Sequence, residues 1–152
     1  MAPLTTSVDV ARTPEDVFAY VTDPARFPEW QANVIDGRMD GKGPFRPGDR
    51  CVTVRRIGGA KRTVTSEITH IDPPRTWGVR GIDGPIRATV AVIVEPLDGA
   101  ERSRLTIDLD FEGHGIGKPL VSLVVRRQAR QEMPQNLGRL KQRLETAEPS
   151  RA

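Results

Sequence analysis

Cysteine is almost absent. Cys51 is the only one in 152 residues, which excludes an internal disulfide and leaves a sulfur-based metal centre without a second thiolate. Histidine is nearly as scarce: His70 and His114 lie far apart with no third ligand at metal spacing, so zinc is not expected. No stretch approaches the roughly 18 uninterrupted apolar residues that cross a bilayer. The segment Met1–Ser7 has neither a basic start nor an apolar signal core, and the expected location is the cytoplasm. No glycine loop has the context of a phosphate cradle, since Gly113–Gly117 precedes a helix without the required strand or Lys/Ser pair. No metal and no cofactor are therefore expected. Aromatics make up only 5% of the chain, so an interior of Val, Ala, Ile and Leu can stay incompletely filled.

Turn chemistry and alternation are plentiful. Fourteen Gly and 13 Pro punctuate short strands. Val8 and Val10 alternate with polar residues, giving a strand over Ser7–Arg12. In Thr13-Pro14-Glu15-Asp16, Thr13 suits an N-cap, Pro14 the first helical position and the acids the positive helix end. Val17, Phe18 and Val21 supply that helix's apolar side. Asp23-Pro24 repeats the signal and opens a second short helix that reaches Phe27 and ends at Pro28, just before Trp30. Strands are expected over Val34–Asp40, Arg50–Ile57, Arg62–Ile71 and Thr76–Ile82, with Asp72-Pro73-Pro74 breaking the ladder. Even positions are apolar throughout Ala88–Val94. Over Leu105–Glu112 the alternation is strict, with Leu105, Ile107, Leu109 and Phe111 on one face and Thr106, Asp108, Asp110 and Glu112 on the other. One dry face and one wet face mark an antiparallel sheet covered on a single side.

The cover is the segment from Lys118 to about Thr146. Val121, Val125, Ala129, Met133, Leu137, Leu140 and Leu144 recur at steps of four and three, a continuous helical stripe. Arg126, Arg127, Arg130, Arg139, Lys141 and Arg143 are expected on its solvated side. They are interspersed with Gln128, Gln131, Glu132 and Glu145 and lack an aromatic stacking platform, so nucleic acid is not an expected partner. The net charge of +3 and pI of about 9.5 say little more about partners. The expectation is an α+β chain of one domain over residues 1–146 with a frayed tail at 147–152. Two short helices follow the first strand, and a curved antiparallel sheet of about seven strands wraps the long C-terminal helix. An apolar hollow between sheet and helix would take a small hydrophobic molecule; monomer and homodimer are both open.

Several pieces in order resemble a known group. They are Thr13-Pro14-Glu15-Asp16-Val17-Phe18-Ala19-Tyr20-Val21, Asp23-Pro24, Phe27-Pro28-Glu29-Trp30, Pro47-Gly48, Ile71-Asp72-Pro73-Pro74-Arg75 and Asn136-Leu137-Gly138-Arg139-Leu140-Lys141. From about Val8 to Leu144 the chain resembles the START-like helix-grip superfamily, in its polyketide cyclase/dehydrase-type branch (SRPBCC proteins). The resemblance implies a cavity between sheet and terminal helix. Members bind lipids, sterols, polyketides, hormones or quinones, and some catalyse cyclisation or dehydration. Its shared motifs are structural and transfer no catalytic set.

The candidate ligand-contact residues are Trp30, Trp77, Val79, Val90, Val92, Ile107, Leu109, Val125, Met133 and Leu137. Ordinary core packing explains the two tryptophans as well as ligand contact does. Met133 is soft enough to fit several ligands, and Pro134 after it either kinks the helix at the cavity or merely bends it. Catalysis would need an inward acid or base. His70 faces inward only if no bulge intervenes, His114 sits in a glycine loop, and Cys51 reads as a small buried hydrophobe. Tyr20 is core or lid. Arg55 and Arg80, as strand arginines, are expected in solvent; turned inward, either could hold a carbonyl or enolate oxygen. The bases to go with it would be Asp36, Glu67 or Asp108, the last on the wet face. Three functions stay open: a binding protein for an apolar small molecule, a cyclase, aromatase or dehydratase using the same cavity, and a protein-binding adaptor with a filled interior.

Overall fold

The computed structural model describes residues 3–57, 59–84, 86–113 and 118–147. In chain order these form β1 (Leu4–Val10), α1 (Pro14–Val21), a 3-10 turn (Pro24–Arg26), α2 (Phe27–Trp30), β2 (Val34–Asp40), β3 (Arg50–Ile57) and β4 (Ala60–Asp72). Then come β5 (Thr76–Gly81), β6 (Ile86–Leu97), β7 (Arg102–Gly113) and α3 (Lys118–Thr146). The seven strands make one antiparallel sheet in the order β1-β7-β6-β5-β4-β3-β2. Strands β2 to β7 are successive neighbours, and β1 pairs with β7, from Leu4 opposite Leu109 to Val10 opposite Ser103. The segment with α1 and α2 must therefore carry the chain from one edge of the sheet to the other.

Local chemistry starts α1 and the 3-10 turn where the caps predict. The Thr13 hydroxyl accepts from the Asp16 N–H at 3.2 Å, and the Asp23 carboxylate accepts from the Ala25 N–H at 3.0 Å. Pro28 does not end the second helix. It lies in the first turn of α2, where its missing N–H has no helical acceptor to lose. That places Trp30 inside the helix rather than after it. Gly37 lets the 3-10 turn close on the β2 edge, since a Cβ there would stand 2.3 Å from the Pro24 carbonyl oxygen.

Helix α3 packs against β1, β7 and α2. Leu137, Leu140 and Leu144 are buried, together with Val10, Val17 and Leu105 in one core. The C-terminal end is tied down by polar groups as well. Arg12 donates to the carbonyls of Glu145 and Ala147, which have no helical donor. Lys141 Nζ donates to the Asp9 carbonyl at 2.6 Å, and the Glu145 carboxylate accepts from the Ala11 N–H at 2.8 Å.

The basic side of α3 is not uniformly solvated. Arg126 is only 5% exposed and donates to Asp110 at 2.8 Å. Asp110 lies just past the end of the β1 ladder, so nothing in β1 stands between it and the helix. Arg139 Nε donates to the Trp30 carbonyl at 3.2 Å. The reversal is completed by Leu123 and Val124, which are 51% and 59% exposed. The 148–152 part of the expected tail lies outside the described residues, as does the loop holding His114.

Candidate ligand cavity

The sheet and α3 do not meet everywhere. Between them lies a cavity of about 240 Å³. Its cause is side-chain size. Toward its C-terminus α3 presents Met133, Leu137 and Leu140, but earlier it presents Val125 and Ala129. The facing sheet positions include Ser66, Gly81 and Ala88. Short side chains on both sides leave the middle empty, because packing atoms reach only so far from their backbones.

All ten candidate contact residues line this cavity. Strand phase explains it: Trp77 with Val79, Val90 with Val92, and Ile107 with Leu109 each share the concave face. Trp30 and Trp77 form a cluster with Phe27, whose ring centroid lies 5.8 Å from one and 6.5 Å from the other, both edge-to-face. The Trp30 indole N–H is buried and has no hydrogen-bond partner among the described residues. Met133 is buried, and its sulfur lies 4.0 Å from the Thr6 hydroxyl. Helix α3 runs through Pro134, whose ring is on the exposed side.

The candidate polar residues are sorted by the same geometry. Arg55 lines the cavity, contrary to the expectation of a solvated strand arginine. It shares β3 parity with Cys51, Thr53 and Ile57, all of which line the cavity. Its Nε donates to the Thr53 hydroxyl at 3.1 Å and its Nη1 to the Gln31 side-chain oxygen at 3.2 Å. Burial depresses its pKa, opposed only in part by the Cys51 sulfur. Burial likewise pushes the Cys51 thiol up to about 11, so at neutral pH it is an inert packing group.

Arg80 is exposed, and so is His70. The β4 ladder shifts register between Ile68 and His70, which turns the imidazole outward. There it lies over Gly78, where a Cβ would come within 2.3 Å of the ring. None of the three candidate bases lines the cavity. Asp108 accepts from Thr5 at 2.6 Å, Asp36 is exposed, and Glu67 alternates away from Ser66. Tyr20 does not line the cavity; half-buried, it packs against the core. Its hydroxyl donates to Glu29 at 3.0 Å, and burial and that bond raise its pKa to about 12. Sequence reasoning missed Gln31, Thr53, Ser66 and Glu132 as lining groups. The β3 parity signals Thr53; nothing local signals Gln31, which lies in the bend after α2. Among the described residues Glu132 is the one carboxylate in the lining, and it accepts from Gln128 at 2.9 Å.

This architecture has relatives. A family model described as polyketide cyclase / dehydrase and lipid transport matches residues 1–145. The chain belongs to that family. Within the polyketide cyclase/dehydrase and lipid transport family, the chain is 28% identical over 127 residues to an uncharacterised protein of Mycobacterium tuberculosis, covering 83% of this chain and 87% of that one. Its fold is shared with a START superfamily protein from Mycobacterium smegmatis (TM-score 0.72, 18% identity, 93% and 99% of the two chains). It is also shared with the Zhui aromatase/cyclase from Streptomyces (TM-score 0.73, 18% identity, 97% and 98%). Among the described residues no helix is long and apolar enough to cross a membrane.

Proposed function

We propose that the chain binds a small hydrophobic ligand in the cavity between the sheet and α3. One observation carries this reading: a space of about 240 Å³, mostly apolar in its lining, stays open beneath a helix that is firmly anchored at its other end. The family description points the same way. Apolar burial alone is a weak source of affinity. About 300 Å² of ligand surface contributes roughly 7 kcal/mol, and association costs at least about 4 kcal/mol. The remainder corresponds to a dissociation constant near the millimolar range, so the polar side of the cavity must add affinity and orientation.

Native mass spectrometry of freshly purified protein tests this directly. A retained small molecule is expected, and it is expected to vanish in Met133→Trp, whose indole would occupy the cavity while the protein stays folded. Retention of the same mass in that variant would place the ligand elsewhere.

A second reading is favoured by Arg55 alone. A guanidinium turned into an apolar cavity can stabilise the oxyanion of a cyclising or dehydrating carbonyl compound. Glu132 is the carboxylate available as its base. Under that reading Glu132→Gln would abolish turnover and leave binding intact; loss of binding in that variant would assign Glu132 to ligand holding instead.

A further inference from the structure

Arg55 has five N–H donors in a planar fork, and the protein occupies two of them, through Thr53 and Gln31. Both acceptors are neutral. Among the described residues neither of its hydrogen-bond partners is a carboxylate. Nη2 has no acceptor among the described residues. Such an arrangement is unfavourable for the empty protein, because a half-buried cation facing an apolar lining without a bonded opposite charge keeps part of its desolvation cost. Thr53 and Gln31 cannot neutralise it, but they hold Nε and Nη1 and so fix the plane of the fork. The Trp30 indole N–H, in the same cavity lining, is also buried without an acceptor among the described residues. The lining carries two arginines, Arg55 and Arg56, against one carboxylate, Glu132, whose bond is to Gln128; it is thus short of one negative charge and rich in donors, while much of the rest is Val, Ile, Leu, Trp and Met.

We infer that the ligand is a monoanion whose carboxylate seats on the free side of the Arg55 guanidinium, with a compact apolar body lying against Trp30, Trp77 and Met133. This rests on the cavity-binding reading above and narrows it from any greasy molecule to an apolar acid. A planar carboxylate matches the fork and supplies the missing charge through charge-assisted hydrogen bonds. The space also limits the body. About 240 Å³ equals the share of roughly eight waters at ~30 Å³ each, which suits a one- or two-ring acid rather than a long acyl chain.

The test uses two isosteric probes, 2-naphthoate and 2-naphthamide, titrated into the full chain by calorimetry at neutral pH. Naphthoate is expected to bind at least about 30-fold more tightly than naphthamide. In Arg55→Met that preference is expected to collapse to within about threefold, with naphthamide affinity nearly unchanged. The ligand-free variant is expected to melt no lower than the parent, because an apolar side chain of similar length replaces an unneutralised cation. Equal binding of both probes to the parent would leave the cavity reading standing and overturn the anion. Binding of neither would overturn both. Should Arg55→Met lose both probes alike and melt lower, Arg55 is a structural residue and the inference fails. Arg55→Gln, which retains hydrogen bonding without charge, is expected to show the same loss of preference, and retention of the preference in it would overturn the charge argument.

Discussion

The two halves of α3 solve different problems. From Met133 to Thr146 the helix buries Leu137, Leu140 and Leu144 and is pinned by Arg12, Lys141 and Glu145. From Lys118 to Glu132 it leaves Leu123 and Val124 in solvent, turns Arg126 inward to Asp110 and spans the cavity with Val125 and Ala129. One half is a core element and the other is a roof. The difference teaches that a single apolar stripe can do both jobs when the size of its residues changes along the helix. The large end fixes the helix axis, and the small end then cannot reach the sheet.

That contrast can be broken most strongly at Leu140, which has no exposure. Leu140→Ala is expected to cost about 2–5 kcal/mol in urea unfolding. Ala129→Leu, a change of the opposite kind in the roof, is expected to be neutral or stabilising, since it fills existing space. A comparable loss from Ala129→Leu would mean that the roof is already packed.

Alkaline pH probes the cavity lining. The folded pKa of Cys51 is raised from 9.0 to about 11, so the unfolded chain releases its proton first. Stability contributed by the buried thiol is whole below about pH 9 and is lost as pH rises toward about 11, by about 2–3 kcal/mol. Melting temperature plotted against pH is expected to fall more steeply in the parent than in Cys51→Ala over that window. Tyr20, raised in the same direction, adds a further decline toward pH 12 in both.

Arg126→Ala is expected to cost about 1–2 kcal/mol, because Asp110 keeps 43% of its side chain exposed and can be rehydrated. Amide exchange should accelerate in the 123–132 segment and not beyond Leu137; uniform acceleration along α3 would mean that the two halves act as one unit. The smallest effect belongs to Glu145. Lys141 and the Ala11 N–H hold its carboxyl below 4.5, so its contribution is present above that pH and fades as acid protonates the folded form. Glu145→Gln is expected to lower stability at pH 7 by less than about 1 kcal/mol, with the difference from the parent disappearing in acid.

Much of the fold was readable because its signals are local. Strict alternation placed Leu105, Ile107, Leu109 and Phe111 on one face, and caps at Thr13 and Asp23 opened the two short helices. The apolar contacts of the cavity followed from strand phase. Arg55 shared the phase of Cys51 and Thr53, yet the general preference of arginine for water outweighed that signal. Pro28 was equally ambiguous, since proline both ends and begins helices. The outward turn of His70 depended on a register shift that the sequence allows without specifying.

By itself, then, the sequence determined which faces are apolar and where turns fall, because these depend on neighbours a few residues away; strand ends it did not determine, since β1 runs Leu4–Val10 rather than Ser7–Arg12 and β6 Ile86–Leu97 rather than Ala88–Val94. Tertiary structure alone decided that the middle of the interior stays open, that Arg126 meets Asp110, and that Gln31 and Thr53 orient Arg55. Those outcomes depend on distances between backbones remote in the chain, and no local pattern encodes how far apart two opposing surfaces come to rest.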